Sequence, residues 1–290
     1  MIADTTRQWI ELETGEMVKD VVRLTGGWTS EMRRVETTER SLVLRSFVSE
    51  FYRRHAEGLL TREADILTLL GRTAIPAASL VAVDAVGASC ADPSLLMTLL
   101  PGRICLDDPG IAAQLAAQLV AIHQVEVDES TRPRVYQAWT SPERVQLPAD
   151  AGTTWTAAVD VIRADPPSYD PVFLHRDFHP GNVLFDEGRI SGIVDWVETS
   201  WGPADLDVAH CSTALALLHG PSVGLAFPAA YVAAGGVLAR DKYWYFLDAL
   251  GFAPDAEKVA VPWRQCGRDD LTPDLLRQHL EAYLEGLLER

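Results

Sequence analysis

The sequence predicts an α+β protein with a small β-rich N-terminal lobe and a larger, mainly helical C-terminal lobe. In the first hundred residues, short β-prone runs are separated by Gly and small polar residues, which is typical of hairpins. Beyond Leu100-Pro101-Gly102, apolar residues instead recur at helical spacing. We therefore expect two domains, residues 1–100 and 101–290, with a hinge near residues 97–102.

The bulk composition is that of an ordinary globular protein. The chain has 290 residues, of which 48% are hydrophobic and 23% charged, enough for one large domain or two modest domains that share a cleft. Its net charge of −16 argues against a nucleic-acid or anionic-membrane partner, because both need a cationic surface. The charge is compatible with a cationic substrate, although an acidic surface also serves solubility alone.

Cysteine spacing and the absence of a targeting pattern predict a cytoplasmic protein. No Cys-x-x-Cys pair occurs, so free thiols in a reducing cytosol fit better than disulfides or a zinc site. The first nineteen residues lack the cationic and apolar regions of a secretory signal. The most apolar region, residues 214–238, is interrupted by His219, Pro221 and Pro228, which argues against a membrane span.

Five strands and one helix are expected in the N-terminal lobe. The predicted strands are residues 18–24, 31–36, 42–47, 79–83 and 94–99. A helix over residues 54–70 would end near Gly71, a plausible C-terminal cap. Its apolar stripe contains Leu59, Ile66, Leu67 and Leu70.

The C-terminal lobe begins with a helix that Asp108 can cap, with Pro109 at its first position. One apolar stripe runs along this helix, formed by Ile111, Leu115, Leu119 and Ile122. Further helices are expected at residues 153–163, 203–218, 222–234, 241–250 and 272–288. The segment between the first two of these helices, residues 174–196, alternates strand, loop and strand, and residues 132–148, before the first of them, form a loop.

Three oxygen-bearing side chains in the strand–loop–strand region suggest phosphoryl transfer. Asp177 lies in the segment Leu174-His175-Arg176-Asp177-Phe178-His179-Pro180-Gly181-Asn182, and Asp195 follows the apolar pair Ile193-Val194. Such a site needs one carboxylate to accept the proton of a hydroxyl, and an amide oxygen and a second carboxylate for Mg²⁺. A lone Asp in a loop is usually a turn former, but the additional Asn182 and Asp195 favour the functional role.

The pattern His-x-Asp-x-x-x-x-Asn, followed by Asp-Trp where protein kinases have Asp-Phe-Gly, resembles the aminoglycoside phosphotransferase and choline kinase family. The resemblance covers roughly residues 18–218 and implies a bilobal, protein-kinase-like fold. It also implies ATP and Mg²⁺ as cofactors, with Asp177 as the catalytic base and Asn182 and Asp195 as metal ligands. By the same resemblance, His175 has a structural role in the loop.

Asp207 matches a family position whose carboxylate braces the catalytic loop. An Asp at the start of a helix is also favoured by capping and by the helix dipole, so the sequence alone favours a structural role. His179 has no partner at a comparable spacing, and we expect it to pack or to hydrogen bond within the loop.

Arg45 stands where the resemblance implies a phosphate-binding Lys. The chain has only Lys19, Lys242 and Lys258, none of them in the third strand. A guanidinium keeps the positive charge and can bind phosphate through two N–H groups, although it is bulkier and planar. Glu63 falls on the apolar stripe of the helix over residues 54–70, and a buried carboxylate needs a partner, for which Arg45 is the candidate. The alternative is a Glu at the edge of the stripe that reaches solvent.

Two further segments are candidates for contacts with the nucleotide. Residues 25–30 would cover the phosphates through Gly26, Gly27, Thr29 and Ser30, because glycines let backbone N–H groups approach oxygens closely. A Gly-Gly pair is more often a simple turn, and only its position before Arg45 favours this role. Residues 97–100 would form the hinge, with Met97 and Leu99 contacting adenine through their backbone.

The acceptor is only weakly indicated. From Asp170 onward there are 18 acidic against 9 basic side chains, which slightly favours a polar or cationic small molecule. Five residues could line its pocket, although core packing or a solvated face is the more common role for any one of them: Trp201, Trp244, Tyr243, Asp248 and Glu198.

We therefore expect an ATP-dependent kinase of a small hydroxylated molecule, with an aminoglycoside-type antibiotic as first candidate and sugars or amino alcohols as rivals. The missing Lys suggests an alternative, a nucleotide-binding regulatory protein of the same fold that has lost catalysis. A protein kinase fits less well, because Asp-Phe-Gly and Ala-Pro-Glu segments are both absent.

Overall fold

The computed structural model describes residues 2–24, 30–239 and 241–290. The chain forms two compact units: one contains the residues up to Gly102 together with Leu184–Val197, and the other contains Arg103–Val183 and Glu198–Arg290. Residues 184–197 thus group with the N-terminal unit, whereas the expected boundary after residue 100 places them in the C-terminal lobe. The Ser191 hydroxyl donates to the Pro101 carbonyl at 2.7 Å, and the Ile193 N–H donates to the Pro76 carbonyl at 2.8 Å. These bonds attach the segment to the N-terminal unit.

The secondary structure follows the expected order. The strands are β1 (Val18–Arg23), β2 (Glu31–Thr37), β3 (Ser41–Ser46), β4 (Leu80–Asp84), β5 (Ser94–Thr98), β6 (Arg103–Ile104), β7 (Pro171–Leu174), β8 (Val183–Asp186), β9 (Arg189–Ile193) and β10 (Ser200–Pro203). The helices are α1 (Asp4–Thr14), α2 (Glu50–Arg53), α3 (Ala56–Leu70), α4 (Ala112–His123), α5 (Thr153–Ile162), α6 (Ala204–His219), α7 (Pro221–Ala233), α8 (Lys242–Leu250), α9 (Glu257–Gln265) and α10 (Pro273–Leu288). The α+β prediction is confirmed.

The N-terminal unit is built on an antiparallel sheet with strand order β1-β2-β3-β5-β4. Helix α1, which was not expected from the sequence, buries Trp9 and Ile10 in one hydrophobic cluster with Val35, Leu42 and Leu96 of the sheet. Burying a large apolar side chain contributes about 1.5–3 kcal/mol, so this helix is an integral part of the unit.

The helix predicted before Gly71 is present but interrupted. Helix α2 ends at Arg53, and α3 begins at Ala56, so a short break replaces the expected continuous start. Gly71 is the C-terminal cap, and its N–H donates to the Leu67 carbonyl while its φ of −59° is right-handed. The cap therefore does not exploit the left-handed freedom of glycine. The buried face of α3 includes Glu63.

The hairpin of β8 and β9 has a two-residue turn, Glu187-Gly188, with φ of 47° and 75°. Positive φ at both positions fits the right-handed twist of the flanking strands, which explains this tight connection. The hairpin ends at Ile193, two residues before Asp195. The hairpin therefore sets the backbone position of Asp195 within the N-terminal unit.

The C-terminal unit is assembled around α6, in which all residues from Ala204 to Leu218 are buried. Helix α7 crosses close to it: a Cβ on Gly224 would lie 2.4 Å from the Ser212 carbonyl oxygen. Strands β7 and β10 form a short antiparallel pair beside these helices. Asp108 accepts the Gly110 N–H at 2.7 Å, so it caps a short 3₁₀ turn that leads into α4 instead of capping α4 directly.

Residues 124–152 contain no named helix or strand, in keeping with the predicted loop, whereas α9 was not anticipated. All four cysteines are free. In the described part of the chain, no helix is both long enough and apolar enough to cross a membrane.

Candidate active site

The loop after β7 is fixed through its backbone by Asp207, in the first turn of α6. The Asp207 Oδ2 atom accepts the His175 N–H and its Oδ1 accepts the Arg176 N–H, both at 2.8 Å. Arg176 has a φ of 74°, a conformation that costs free energy for a non-glycine residue and is here held by the paired hydrogen bonds. Asp207 therefore contacts the loop as the family resemblance implied, from a position where a helix favours an acidic residue.

Asp207 is fully buried, and its charge is compensated by neighbours. His123 Nε2 lies 3.3 Å from Asp207 Oδ2, and His123 Nδ1 lies 2.7 Å from the Tyr231 hydroxyl. Burial by itself would raise the pKa of Asp207, but the hydrogen bond and charge of His123 outweigh it and hold that pKa below its usual value. A carboxylate in this state is the acceptor that two backbone N–H groups require.

Both oxygens of the Asp177 carboxylate have partners. Oδ1 lies 3.1 Å from His210 Nε2, and Oδ2 accepts a hydrogen bond from Asn182 Nδ2 at 3.0 Å. Asn182 Nδ2 also donates to the Asp177 carbonyl at 2.8 Å, which closes the loop on itself. The Asp177 side chain keeps 31% of its surface exposed, so it remains accessible. Desolvation raises its pKa, but the hydrogen bond and charge of His210 outweigh desolvation and hold that pKa below its usual range.

The two loop histidines have the local roles expected of them. His175 Nδ1 accepts the Asp177 N–H at 3.3 Å, and His179 Nδ1 accepts the Gly181 N–H at 3.0 Å. Asp177, His179 and His210 place one ligand atom each within 4.8 Å of one another, a grouping that could hold a metal ion. However, His179 Nδ1 is the acceptor, so its Nε2 carries the proton and points a donor at Asp177, 3.9 Å away. The grouping is therefore better described as a hydrogen-bond network.

His210 was missed by the sequence analysis. It lies on α6, and its Nδ1 is 2.9 Å from Asp248 Oδ1 on α8. Only a tertiary contact brings these residues together, since 38 positions separate them. The available signal was a titratable residue in a helix that is largely apolar beyond its acidic first turn. Asp248, which the sequence offered as a possible pocket residue, is buried as the partner of this imidazole.

In the N-terminal unit, Arg45 and Glu63 form the predicted pair. Arg45 Nη1 donates to Glu63 Oε1 at 2.7 Å, and the two residues are only 4% and 1% exposed. Burial raises the pKa of Glu63, whereas the positive charge of Arg45 opposes that rise. The pairing explains how a carboxylate is tolerated on the buried face of α3, where an isolated charge would be costly.

Arg45 also contacts Asp195. Its Nη1 and Nη2 both lie 3.1 Å from Asp195 Oδ1, and its Nε donates to the Ser30 hydroxyl at 3.1 Å. Burial lowers the pKa of Arg45, but the charges of Asp195 and Glu63 dominate and raise it. Asp195 has a φ of 66°, and its side chain is 41% exposed. An unusual backbone conformation held at an exposed acidic residue is common at functional positions.

The remaining predicted site residues are less informative. Met97 lies inside β5 with Val43 and Leu80 as its strand partners, and the Leu99 N–H donates to the Ser41 carbonyl at 3.4 Å. Neither contact tests binding of adenine, which stays a prediction. The candidate phosphate-binding residues Gly26, Gly27 and Thr29 lie outside the described residues.

Asn182 and Asp195 each keep a side-chain oxygen of the kind that a hard divalent cation takes. Because Asn182 Nδ2 is engaged by Asp177, the amide atom left for a cation is Oδ1. Arg45 binds only Oδ1 of Asp195, which leaves Oδ2 outside that pair. A neutral and a charged oxygen are the ligands that Mg²⁺ prefers when phosphate and water complete its shell. Asn182 belongs to the C-terminal unit and Asp195 to the N-terminal unit.

A comparison with protein-family models decides the family. Residues 20–244 match the model of the phosphotransferase enzyme family that is abbreviated APH. The chain belongs to this family. Among curated proteins, no sequence matches significantly.

Solved structures show that the chain has the fold of the APH family. A candidate aminoglycoside phosphotransferase from Ralstonia eutropha JMP134 has a TM-score of 0.67 at 16% identity, over 99% of this chain and 98% of that one. A thermostable mutant of aminoglycoside phosphotransferase APH(4)-Ia, in a ternary complex with ADP and hygromycin B, has a TM-score of 0.63 at 16% identity, over 98% of each chain. Macrolide 2′-phosphotransferase MphH from Brachybacterium faecium has a TM-score of 0.60 at 14% identity, over 97% of this chain and 98% of that one. The resemblance to aminoglycoside phosphotransferases stated from the sequence is confirmed.

Proposed function

We propose that this member of the phosphotransferase family transfers the γ-phosphate of ATP to a hydroxyl group of a small molecule, with Asp177 as the catalytic base. The observation that carries the proposal is the state of Asp177. Its carboxylate is ionised and partly exposed, and its two oxygens are oriented by His210 and Asn182. The loop that carries Asp177 is held by Asp207, which accepts the N–H groups of His175 and Arg176.

The low proton affinity of Asp177 suits this chemistry. Phosphoryl transfer passes through a loose transition state, in which the attacking hydroxyl keeps its proton until late. An ionised carboxylate then acts mainly by accepting the hydroxyl's hydrogen bond and aiming its oxygen, and it takes the proton at the end. Catalysis of this kind is chiefly positioning.

The nucleotide would be held by residues of both units. Asn182 and Asp195 would bind Mg²⁺, which supplies positive charge that neutralises the phosphate oxygens. Arg45, oriented by Glu63, would bind the phosphates, with Gly26, Gly27, Thr29 and Ser30 covering them. Met97 and Leu99 would contact adenine at the hinge. Support for a nucleotide comes from the related APH(4)-Ia structures, which contain ADP or AMP-PNP.

The acceptor that we propose is a small hydroxylated molecule, polar or cationic, with aminoglycosides and related sugars or amino alcohols as first candidates. This choice is supported by the acidic balance of the C-terminal part and by the substrates named for the similar structures, hygromycin B and macrolides. In this proposal the N-terminal unit binds nucleotide, the C-terminal unit binds the acceptor, and the protein acts in the cytoplasm without nucleic-acid or membrane partners.

The test is ADP release from ATP and Mg²⁺ in the presence of single acceptors from a panel of aminoglycosides, macrolides, sugars and amino alcohols. Acceptor-dependent release that Asp177→Ala abolishes would support the proposal. Asp186→Asn is a matched control, because Asp186 is an exposed carboxylate at the end of β8. Phosphorylated acceptor is identified by mass spectrometry.

A catalytically impaired nucleotide-binding regulator is the alternative, favoured by Arg45 in the place of the expected Lys. It predicts that ATP binds but is not turned over with any acceptor, and that Asp177→Ala leaves binding unchanged. The same panel, combined with calorimetric titration of ATP, separates the two functions.

A further inference from the structure

His210 lies between two carboxylates in the C-terminal unit. Its Nδ1 is 2.9 Å from Asp248 Oδ1 and its Nε2 is 3.1 Å from Asp177 Oδ1. The imidazole is 5% exposed and the Asp248 side chain 2%, whereas Asp177 is 31% exposed. One end of this three-residue chain is thus in the core, and the other is at the candidate active site.

The two hydrogen bonds require the His210 imidazole to be protonated on both nitrogens when both carboxylates are ionised. An ionised carboxylate only accepts hydrogen bonds, so each of the two imidazole nitrogens must carry a proton. Burial opposes the charge, but Asp248 and Asp177 outweigh burial and raise the pKa of His210 to about 10. The third titratable group that faces the ring is His179, whose ring centroid lies 5.7 Å away.

Asp248 depends on His210 for its compensation. Within the described residues, its Oδ2 is buried without a hydrogen-bond partner, so the imidazolium is the group that neutralises it. A buried charge is retained only with such a partner. Asp248 in turn fixes the orientation of the ring, as a carboxylate does for a histidine in many catalytic and metal sites.

The ring plane is also fixed by packing. Phe252 stacks on the imidazole with centroids 5.6 Å apart and an interplanar angle of 28°, and Trp139 meets it edge-on at 5.2 Å. The Nε2–H therefore has one direction, toward Asp177 Oδ1. Together with Asn182 on Oδ2, it holds the carboxylate from both sides.

We propose that His210, kept as an imidazolium by Asp248, is a positioning residue that orients the carboxylate of Asp177 toward the acceptor hydroxyl. This inference rests on the proposed function of Asp177. His210 does not exchange a proton with the substrate. Its charge keeps Asp177 ionised, and its donor fixes the oxygen that is not held by Asn182.

The first test is independent of any substrate. In the full-length protein labelled with ¹⁵N-histidine, NMR should show both ring nitrogens of His210 protonated at a pH of about 8, where an ordinary histidine is neutral. Signals that disappear in the spectrum of His210→Gln are those of His210. Asp177→Asn should shift the Nε2 resonance, and Asp248→Asn should leave a neutral ring at that pH. A neutral His210 in the wild type would overturn the proposal.

The second test measures turnover with the panel acceptor that gives the highest rate. If no panel acceptor is phosphorylated, the test measures ATP hydrolysis, in which water is the acceptor. His210→Phe preserves the ring packing and removes both donors, and kcat should fall about 100-fold, as expected for a misplaced catalytic group. His210→Gln can restore one neutral donor and should recover about tenfold of this loss, which is the order expected for one neutral hydrogen bond. The KM values for ATP and acceptor should stay within about twofold, because positioning acts on the transition state.

His279→Gln is the matched control and should leave kcat unchanged. Its imidazole is partly buried in the same unit and bonds the Leu217 carbonyl near the end of α6. Because His210→Phe leaves Asp248 buried and unpaired, the double variant His210→Phe/Asp248→Asn is measured beside it. An unchanged kcat in a folded double variant, or a loss confined to KM, would contradict the proposal. If no acceptor reacts in the wild type, the proposed function fails while the NMR result still decides the state of His210.

Discussion

Arg45 on β3 donates two hydrogen bonds to a single oxygen of Asp195, although 150 positions separate them in the chain. The same guanidinium also binds Glu63 on α3. A planar fork can serve both carboxylates at once and still carry the charge that a phosphate needs, whereas a lysine ammonium is a single point. This geometry gives a physical basis for the Arg in the place of the expected Lys.

Replacing Arg45 by Met should destabilise the N-terminal unit and prevent nucleotide binding. The change leaves Glu63 buried without its partner, which typically costs about 3–5 kcal/mol. Urea unfolding measures the loss. Arg34→Met is the matched control on the neighbouring strand, because the Arg34–Glu36 pair is largely exposed, and it should have little effect. Equal losses in the two variants would contradict a buried ion pair at Arg45.

Asp195→Asn should weaken Mg²⁺-dependent nucleotide binding. The amide keeps an oxygen but loses the negative charge. Replacing a residue that only hydrogen bonds to a metal ligand typically lowers metal affinity by roughly 10- to 100-fold, and we expect at least this loss here. Calorimetric titrations of ADP with and without Mg²⁺ separate this effect from binding of the nucleotide itself. A variant with unchanged Mg²⁺ dependence would remove Asp195 from the set of metal ligands.

Asp207→Ala should loosen the loop that carries Asp177. It leaves the buried N–H groups of His175 and Arg176 without an acceptor, at a cost of about 1–3 kcal/mol each. Thermal unfolding and hydrogen exchange of these two amides measure the effect, and both amides should exchange faster. Asp108→Ala, which removes an exposed cap, is the control. Slow exchange of the two amides in Asp207→Ala would argue against this bracing.

Because of Asp84, the N-terminal unit should lose stability at acid pH. Burial raises its pKa, but N–H groups of Cys90, Ser89 and Ala88 outweigh burial and lower it. A lowered pKa in the folded state means that the stabilisation is present above the unfolded value of about 3.9 and is lost as pH falls through the folded value.

Melting temperatures between pH about 3 and 7 check the sign, because the wild type should exceed Asp84→Asn at neutral pH and approach it in acid. Asp92→Asn, which changes an exposed partner of Arg53, should show a smaller and flatter difference. A gap between wild type and Asp84→Asn that widens in acid would show that the sign is wrong.

The patterns that could be predicted from the sequence are local ones. Alternation and turn residues placed the five strands of the N-terminal sheet, and a charge on an apolar stripe identified Glu63 as a buried partner for Arg45. The family motif placed Asp177, Asn182 and Asp195 by spacing alone. Helix α1 was missed because its stabilising contacts, from Trp9 and Ile10 to the sheet, lie far along the chain.

The sequence by itself determined the α+β class, the family and the residues that carry its motif, since these depend on short-range periodicity and fixed spacing. Tertiary structure alone decided which groups surround those residues. The bonds from Asp207 to the loop backbone and from His210 to Asp177 and Asp248 join separate helices and loops. No periodicity records such contacts, because a buried polar group is tolerated wherever packing supplies its partner.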